Sequence, residues 1–453
     1  MRQDQRAGRP DPPGPPDRPG RAGRPRAAWH TLAGLIVTGY LVAAAIVIAA
    51  HAALPMPEWL ALHLLVLGAA TNAVFVWSQH FAQALLHSRP DSERPARIRI
   101  ATLNAGIIAV LTGVSGSVPP LAIAGALVVV GAVIAHTASL AAMIRASRLA
   151  GPLGIVARYY VAAGIALTAG GLLGGLLASG WIRSAGLRTA IVLAHAQLNL
   201  LGWLGLAIIG TQFMLWPMVL RTRMSDSAPR VARPVLILTS GGIGVAAVAL
   251  AGVHWLPAAR WVAAAGLASY LAGAAFSLRP AIAVARSRPP RTAAPWAIGA
   301  GNVWLIVALA ADTVALAAGP TAADRVLGRL LVPVLGIGVI GQILTGALTF
   351  LLPVVLGGGP AGNRRMTRTL ERAWCPRLAL GNAGVLGLAV TGGSGWAGAA
   401  AWVATLAGFA AFPVLAIAVI AGGRAGGTEP GGPPSVPKNA PGGPPGTAQG
   451  SAR

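Results

Sequence analysis

Two histidines lie inside apolar segments of this chain, where ionisable side chains are rare. His63 follows Trp59 by four residues near the start of one segment, and His195 follows Arg188 by seven residues in another. At a helical rise of 1.5 Å per residue, these offsets correspond to depths of about 6 Å and about 10 Å. Neutral imidazole is a ligand of copper and of haem iron. The two residues therefore predict a haem or copper site with His63 and His195 as ligands.

Two further polar side chains belong to the same hypothesis. Asn199 is four residues after His195, so it shares a helix face with that ring and could support it by a hydrogen bond or bind the ligand directly. Asp312 is the only acidic residue deep in an apolar segment, about 10 Å before Gly319 by the helical rise. Its structural alternative is a pairing with Asn302 or with an arginine.

The histidines also have a purely structural interpretation. Each could form a hydrogen bond between helices, either to a backbone carbonyl or to the side chains of Asn72 or Gln197. His80 and His87 are expected to share a helix face, where a two-histidine metal site or a polar helix end are the alternatives. His136 has no obvious partner at its depth except His80, so it is interpreted as structural.

Composition excludes most soluble classes of protein. The chain is 55% hydrophobic and 10% charged, with a mean hydropathy of +0.67, so it has too little polar surface to cover a soluble globule. The net charge of +24 would suggest nucleic acid as a partner, but the charges lie between apolar segments and not on one continuous face. Lipid is therefore the expected solvent. The single cysteine, Cys375, allows no disulfide within the chain.

The apolar pattern predicts an all-α, multi-pass protein of the cell membrane with about twelve spans. Each span is long enough, or nearly so, to cross a hydrocarbon core of about 30 Å. The predicted spans cover residues 31–53, 59–86, 100–117, 119–143, 159–179, 189–218, 234–253, 261–278, 296–318, 330–356, 378–392 and 396–421.

The distribution of positive charge predicts the orientation of these spans. Thirty of the 35 Lys and Arg residues fall in the two termini and in the gaps after even-numbered spans, and five fall on the other side. Because positive residues are enriched in cytoplasmic loops, both termini are expected to be cytoplasmic. Residues 1–29 are predicted to be a disordered basic arm, residues 30–421 the membrane domain, and residues 422–453 a disordered tail rich in Gly and Pro.

Three segments resemble a group of actinobacterial membrane proteins. They are residues 62–72 (LHLLVLGAATN), residues 198–203 (LNLLGW), and Gly341-Gln342 together with residues 351–360 (LLPVVLGGGP). In some members of that group a multicopper-oxidase or copper nitrite-reductase domain follows the helices. The twelve-helix part is in turn similar to subunit I of haem-copper oxidases and to NnrS-type haem and copper proteins.

The resemblance implies roles for particular residues. His63 would match the histidine of the second helix that binds low-spin haem in the oxidases, and His195 a copper ligand of the sixth helix. The seventh span has no histidine, and the tenth offers only Gln342 and two threonines, so a complete dinuclear oxygen-reducing site is not implied. Gln197 stands where relatives are expected to have a second histidine.

These observations favour a protein that binds haem or copper and acts in redox, copper or nitrogen-oxide metabolism, as an accessory or binding protein. Whether it catalyses a reaction is left open. A first alternative is a transporter of a small solute, for which the twelve spans and Asp312 argue. A second is a scaffold for a separately encoded cupredoxin or multicopper oxidase partner.

Overall fold

The computed structural model describes residues 23–88, 92–147, 151, 154–357 and 359–425. Within these ranges the chain forms helices joined by short connections, with no β-strand. The predicted all-α fold class is therefore confirmed for the described residues. Most of the predicted N-terminal arm and C-terminal tail, residues 1–22 and 426–453, lies outside the described part.

Thirteen helices follow one another along the described chain, and each predicted span coincides with one of them. The helices are α1 Gly23–Ala49, α2 Pro57–Leu85, α3 Arg94–Ser115, α4 Pro119–Ala146, α5 Ile155–Ala178, α6 Ala185–Val219, α7 Ala228–Gly252, α8 Ala259–Ser287, α9 Ala293–Ala318, α10 320–356, α11 Gly359–Leu370, α12 Trp374–Thr391 and α13 Gly395–Ala421.

Ten of these helices are long and apolar enough to cross a membrane, counted over the described residues. The pair α11 and α12 passes the same test jointly but is bent by 42°, which brings the number to eleven at most. The apolar part of α1, Gly34–Ala49, is shorter than a full span. The chain is therefore a multi-pass helical membrane protein.

The surface of the bundle is apolar and its interior holds polar groups, as expected when lipid is the outer solvent. Val248 is 76% exposed and Val390 is 79% exposed, although both lie within spans. In contrast, Asn72, Asp312 and Gln342 are buried. Within the membrane a polar group finds hydrogen-bond partners only inside the protein. Buried polar side chains therefore mark the places where helices bind one another or a ligand.

Helix α6 is the centre of the bundle. In its apolar part 67% of the residues are buried, compared with at most 44% in any of the other nine spanning helices. It packs against α5 and α7, and Trp203 in its middle is 1% exposed and donates a hydrogen bond to Thr71 Oγ1 in α2 at 3.2 Å. A residue on α6 can therefore reach partners on several neighbouring helices.

Three helices contain long π-helical segments, a geometry that is rare and often found at functional sites. They are Leu64–Ala70 in α2, Leu198–Gly205 in α6, and Leu327–Leu331 with Val334–Gly341 in α10. Each of the segments in α2 and α6 begins one to three residues after a histidine of the candidate site. A π-helical turn is wider than an α-helical turn. The side chains that follow it therefore point in directions that α-helical spacing does not predict.

Helix α11 was not expected, because residues 357–377 were interpreted as a gap between spans. It is short and amphipathic, with Met366 and Leu370 packed on an apolar cluster that includes Phe412 of α13. Its arginines Arg364 and Arg368 are exposed. The gap is thus bridged by a helix whose apolar side anchors it to the bundle.

Candidate functional site

The structure brings His63 of α2 and His195 of α6 together. Their ring centroids are 6.4 Å apart, and the ring planes differ by only 19°. The two residues are 132 positions apart in the chain, so this proximity is a property of the fold. Because the two rings are near neighbours, one small ligand could contact both.

The His63 ring is held by its own helix. Its Nδ1 lies 2.8 Å from the backbone oxygen of Trp59, one turn earlier. The indole of Trp59 also stacks on the imidazole, with centroids 4.1 Å apart and an interplanar angle of 25°. The hydrogen bond places a proton on Nδ1, which leaves the lone pair of Nε2 available.

The His195 ring is held by the neighbouring helix α5. Its Nδ1 lies 2.8 Å from the backbone oxygen of Gly170. A Cβ atom on Gly174, one turn further along α5, would lie 2.9 Å from Cε1 of the ring, so glycine is needed for this approach. Here too the proton belongs on Nδ1 and Nε2 keeps its lone pair.

Asn199 lies against His195, on the face that its spacing predicts. Its amide nitrogen donates to the His195 backbone oxygen at 2.7 Å, and it lies 3.1 Å from Nδ1 and 3.4 Å from Nε2 of the ring. The Asn199 Oδ1 is buried and has no hydrogen-bond partner. The site therefore contains two imidazole lone pairs and an unpaired amide oxygen, all of which are acceptors or metal ligands.

This donor set has the arrangement that metal-binding histidines commonly show. Such histidines bind the metal through one ring nitrogen while the other donates to a carbonyl or carboxylate. No group of three or more His, Cys, Asp and Glu side chains suited to a metal occurs among the described residues.

Asp312 of α9 contacts a different face of α6. Its Oδ2 accepts a hydrogen bond from the Gln197 amide at 2.7 Å. Gln197 is two residues after His195, about 200° around the helix, so the pair points away from the histidines. Asp312 Oδ1 and Gln197 Oε1 are both buried and without a partner.

The expected pairing of Asp312 with Asn302 or an arginine is therefore wrong. Asn302 lies ten residues earlier on α9, about 15 Å along the axis, and its amide donates to Gln212 Oε1 at 2.8 Å. The partner of the carboxylate is the glutamine of α6, because that side chain lies at the same depth on the adjacent helix.

Two other predicted candidates form polar contacts of their own. Asn72 exchanges hydrogen bonds with Asn104 of α3 at 2.8 and 3.1 Å, which joins α2 to α3. Gln342 is fully buried and donates to Asn382 of α12 at 2.9 Å, an oxygen that the Trp304 indole also reaches at 2.7 Å. Neither side chain supports the histidine pair through a hydrogen bond.

The remaining histidines lie elsewhere. His80 and His87 do not share a helix face, since α2 ends at Leu85 and His87 has a positive φ of 51°. His136 is buried, with Nε2 2.9 Å from Ser78 Oγ and its ring stacked on Phe75. His136 and His80 line one cavity between α2, α3 and α4.

Several residues of the site were not predicted from the sequence. From the sequence, Gly170 and Gly174 are small residues four apart, a spacing typical of close helix packing, and Trp59 is an aromatic residue near a helix end, a position typical of the membrane interface. Their roles at the two rings depend on how α5, α2 and α6 are placed side by side. The spacing of Gly170 and Gly174 by one helical turn, at a depth similar to that of His195, was the one signal available.

Comparison with known proteins adds no relative: no family model matches this chain, and no curated protein matches it.

Proposed function

We propose that this protein binds copper or haem between His63 and His195 and serves as a redox or accessory protein in copper or nitrogen-oxide metabolism. The single observation that carries the proposal is the pair of adjacent imidazoles, each with Nδ1 bound to a backbone oxygen. In the proposed topology the chain has twelve spans in the cell membrane and both termini in the cytoplasm. The site then lies near the outer face, as the positive charges predict.

The packing around the rings favours a metal ion over haem. The indole of Trp59 covers one face of His63, and the backbone of Gly174 lies against His195. Copper bound there would be held by the two imidazole nitrogens and the Asn199 amide oxygen, and would supply one-electron chemistry. The chain's own contribution is to fix the ring tautomers through Trp59 and Gly170 and to surround the ion with apolar groups.

Copper binding by purified protein tests this proposal. The wild-type chain should bind one copper per molecule, and His63→Ala and His195→Ala should each weaken binding by at least tenfold, because each removes a ligand. Elemental analysis and competition with a chromophoric copper chelator provide the measurement, and absorbance spectra report haem in the same samples.

His51→Ala is the matched control, since His51 is exposed and lies in the short turn before α2. It should bind copper as the wild type does. Absence of both copper and haem from the protein, or equal binding by the wild type and the two site variants, would overturn the proposal.

A second candidate function is proton-coupled transport of a small solute, for which the buried pair of Asp312 and Gln197 is the specific observation. Both free oxygens of this pair are acceptors. A single proton on Asp312 Oδ1 would let it donate to Gln197 Oε1 and would also remove a charge from membrane depth, where charges cost several kcal/mol. The pair therefore has the composition of a proton-binding site.

Asp312→Asn separates the two functions. The asparagine amide reproduces the protonated carboxyl, so the fold and copper binding should be unchanged. Proton-driven uptake of solute into vesicles should be lost. Uptake that is equal in the variant and the wild type would remove the transporter candidate without affecting the metal site.

A further inference from the structure

A polar cavity lies between α2, α3 and α4, at the end of α2 opposite to His63. Its volume is about 250 Å³, and it is partly open to the surface. The polar residues that line it are Gln79, His80, Gln83, Ser88, Ser92, Glu93, Arg99 and His136. A polar cavity of this kind is not needed for helix packing in an otherwise apolar bundle.

Arg99 is the central charge of this cavity. Its Nη2 donates to Gln79 Oε1 at 2.8 Å, which orients the guanidinium group across from α3 to α2. Its Nε is buried and has no hydrogen-bond partner. A buried guanidinium N–H without an acceptor is costly, so the geometry leaves a donor to be satisfied by a ligand.

The neighbouring groups add further donors. Because the oxygen of Gln79 accepts from Arg99, the amide nitrogen of Gln79 is the end that remains for a ligand. The hydroxyls of Ser88 and Ser92 line the opening of the same cavity. Ser78 Oγ donates to the Phe75 oxygen at 3.3 Å and lies 2.9 Å from Nε2 of the His136 ring.

Glu93, the one carboxylate among the described residues that line the cavity, is paired with another arginine. Glu93 Oε2 lies 3.4 Å from Arg97 Nη2, on the exposed side of α3. That ion pair leaves the positive charge of Arg99 without a counterion among the residues that line the cavity. The cavity therefore favours an anion.

We propose that this cavity binds a small oxyanion, of the size of phosphate or smaller, through the guanidinium of Arg99. Guanidinium groups bind oxyanions through parallel N–H···O bonds. The volume is that of about eight water molecules at about 30 Å³ each, which accommodates such an ion with some water. It lies below the range of about 300 to 1,000 Å³ that is typical of pockets for drug-sized ligands, so the acyl chains of a lipid do not fit. The site is separate from the histidine pair.

Equilibrium binding of radiolabelled inorganic phosphate to the purified full chain tests this proposal, at constant ionic strength set with chloride. The wild type should bind one phosphate per chain saturably. Arg99→Gln should weaken binding at least tenfold, whereas Arg99→Lys, which keeps the charge but loses the planar fork, should have an intermediate effect. Arg94→Gln on the same helix is the matched control, because Arg94 is exposed and does not line the cavity, and it should bind within twofold of the wild type.

Three outcomes would overturn the proposal. The first is no saturable binding of phosphate by the wild type, and the second is equal weakening of phosphate binding by Arg94→Gln and Arg99→Gln. The third is no phosphate binding in detergent together with binding of the protein to vesicles that contain anionic phospholipid. If Arg99→Gln does not fold, Gln79→Leu should lower phosphate affinity in its place, because it removes the amide nitrogen that remains for the ligand. His63→Ala should leave phosphate binding unchanged, so this result does not depend on the metal site.

Discussion

The chemistry of the histidine pair depends on which ring nitrogen carries the proton. In both rings Nδ1 faces a backbone oxygen at 2.8 Å, so Nδ1 is the donor and Nε2 the free base. The oxygen in each case belongs to the main chain, which does not titrate. The tautomer is therefore maintained by the helix backbone, and it requires only that α5 approach α6 closely at Gly170.

Gly174→Ala should weaken copper binding by about 10- to 100-fold, the range typical of mutations that disturb the groups supporting a metal ligand. The new Cβ atom would lie 2.9 Å from Cε1 and 3.2 Å from Nδ1 of His195, so the ring must move away from the Gly170 oxygen. The measurement is the copper competition titration. Gly131→Ala on α4 is the control, because nothing lies within 4 Å of its new Cβ. Equal copper affinities in all three proteins would contradict the assigned role of Gly174.

At the scale of the elements, helices in this bundle approach each other through glycines that face backbone atoms. The crossing of α7 and α8 is reciprocal: a Cβ on Gly242 would lie 2.5 Å from the Gly266 oxygen, and a Cβ on Gly266 would lie 2.7 Å from the Gly242 oxygen. The backbone cannot yield as a flexible side chain can. Van der Waals contact at such crossings supplies the helix association that the hydrophobic effect cannot supply in lipid.

Gly242→Leu should therefore destabilise the protein by roughly 1 to 3 kcal/mol or more, the usual cost of overpacking. Gly244→Leu lies on the same helix, where a Cβ meets nothing within 4 Å, and should be close to neutral. Thermal unfolding of both variants in detergent is the comparison. If the two lower the unfolding midpoint equally, glycine at this crossing has no special role.

The π-helical segments Leu64–Ala70 and Leu198–Gly205 follow closely after the two histidines of the candidate site. Thr71 Oγ1 donates to the Val66 oxygen, five residues earlier, and so joins the wide turns of α2. Glycines allow partners to approach these turns: a Cβ on Gly68 would clash with the Tyr40 ring, and one on Gly202 would lie 2.6 Å from Ala166 Cβ. The widened turns begin directly after His63 and three residues after His195, so they are next to both rings in the chain.

At the scale of the whole molecule, the alternation of positive charge between the two sides predicts the topology. Cys375, the only cysteine of the chain, is exposed at the start of α12. In the proposed orientation it lies on the cytoplasmic side with the arginines of the neighbouring loop. The orientation of the chain in the membrane can therefore be tested by labelling this one native thiol.

A membrane-impermeant maleimide should label Cys375 only after cells are permeabilised, because the reagent cannot reach the cytoplasmic face of intact cells. The control is the double variant Cys375→Ala with Ser184→Cys, whose new thiol precedes α6 on the opposite side and should be labelled in intact cells. Labelling is measured by a mass shift on gels. Labelling of the native thiol in intact cells would reverse the proposed orientation.

The apolar spans and their order could be read from the sequence, since each span must satisfy its backbone hydrogen bonds internally and stay apolar over a length set by the bilayer. The candidacy of His63, His195, Asn199 and Asp312 followed from the cost of placing polar groups at that depth. Which of them meet was decided only by the tertiary structure. His63 of α2 and His195 of α6 lie side by side, whereas Asp312 pairs with Gln197 on the other face of α6. The depth of a residue in the membrane follows from its position along its own span, so the sequence predicts it. The rotation and the neighbours of each helix depend on side-chain packing between segments that are distant in the chain.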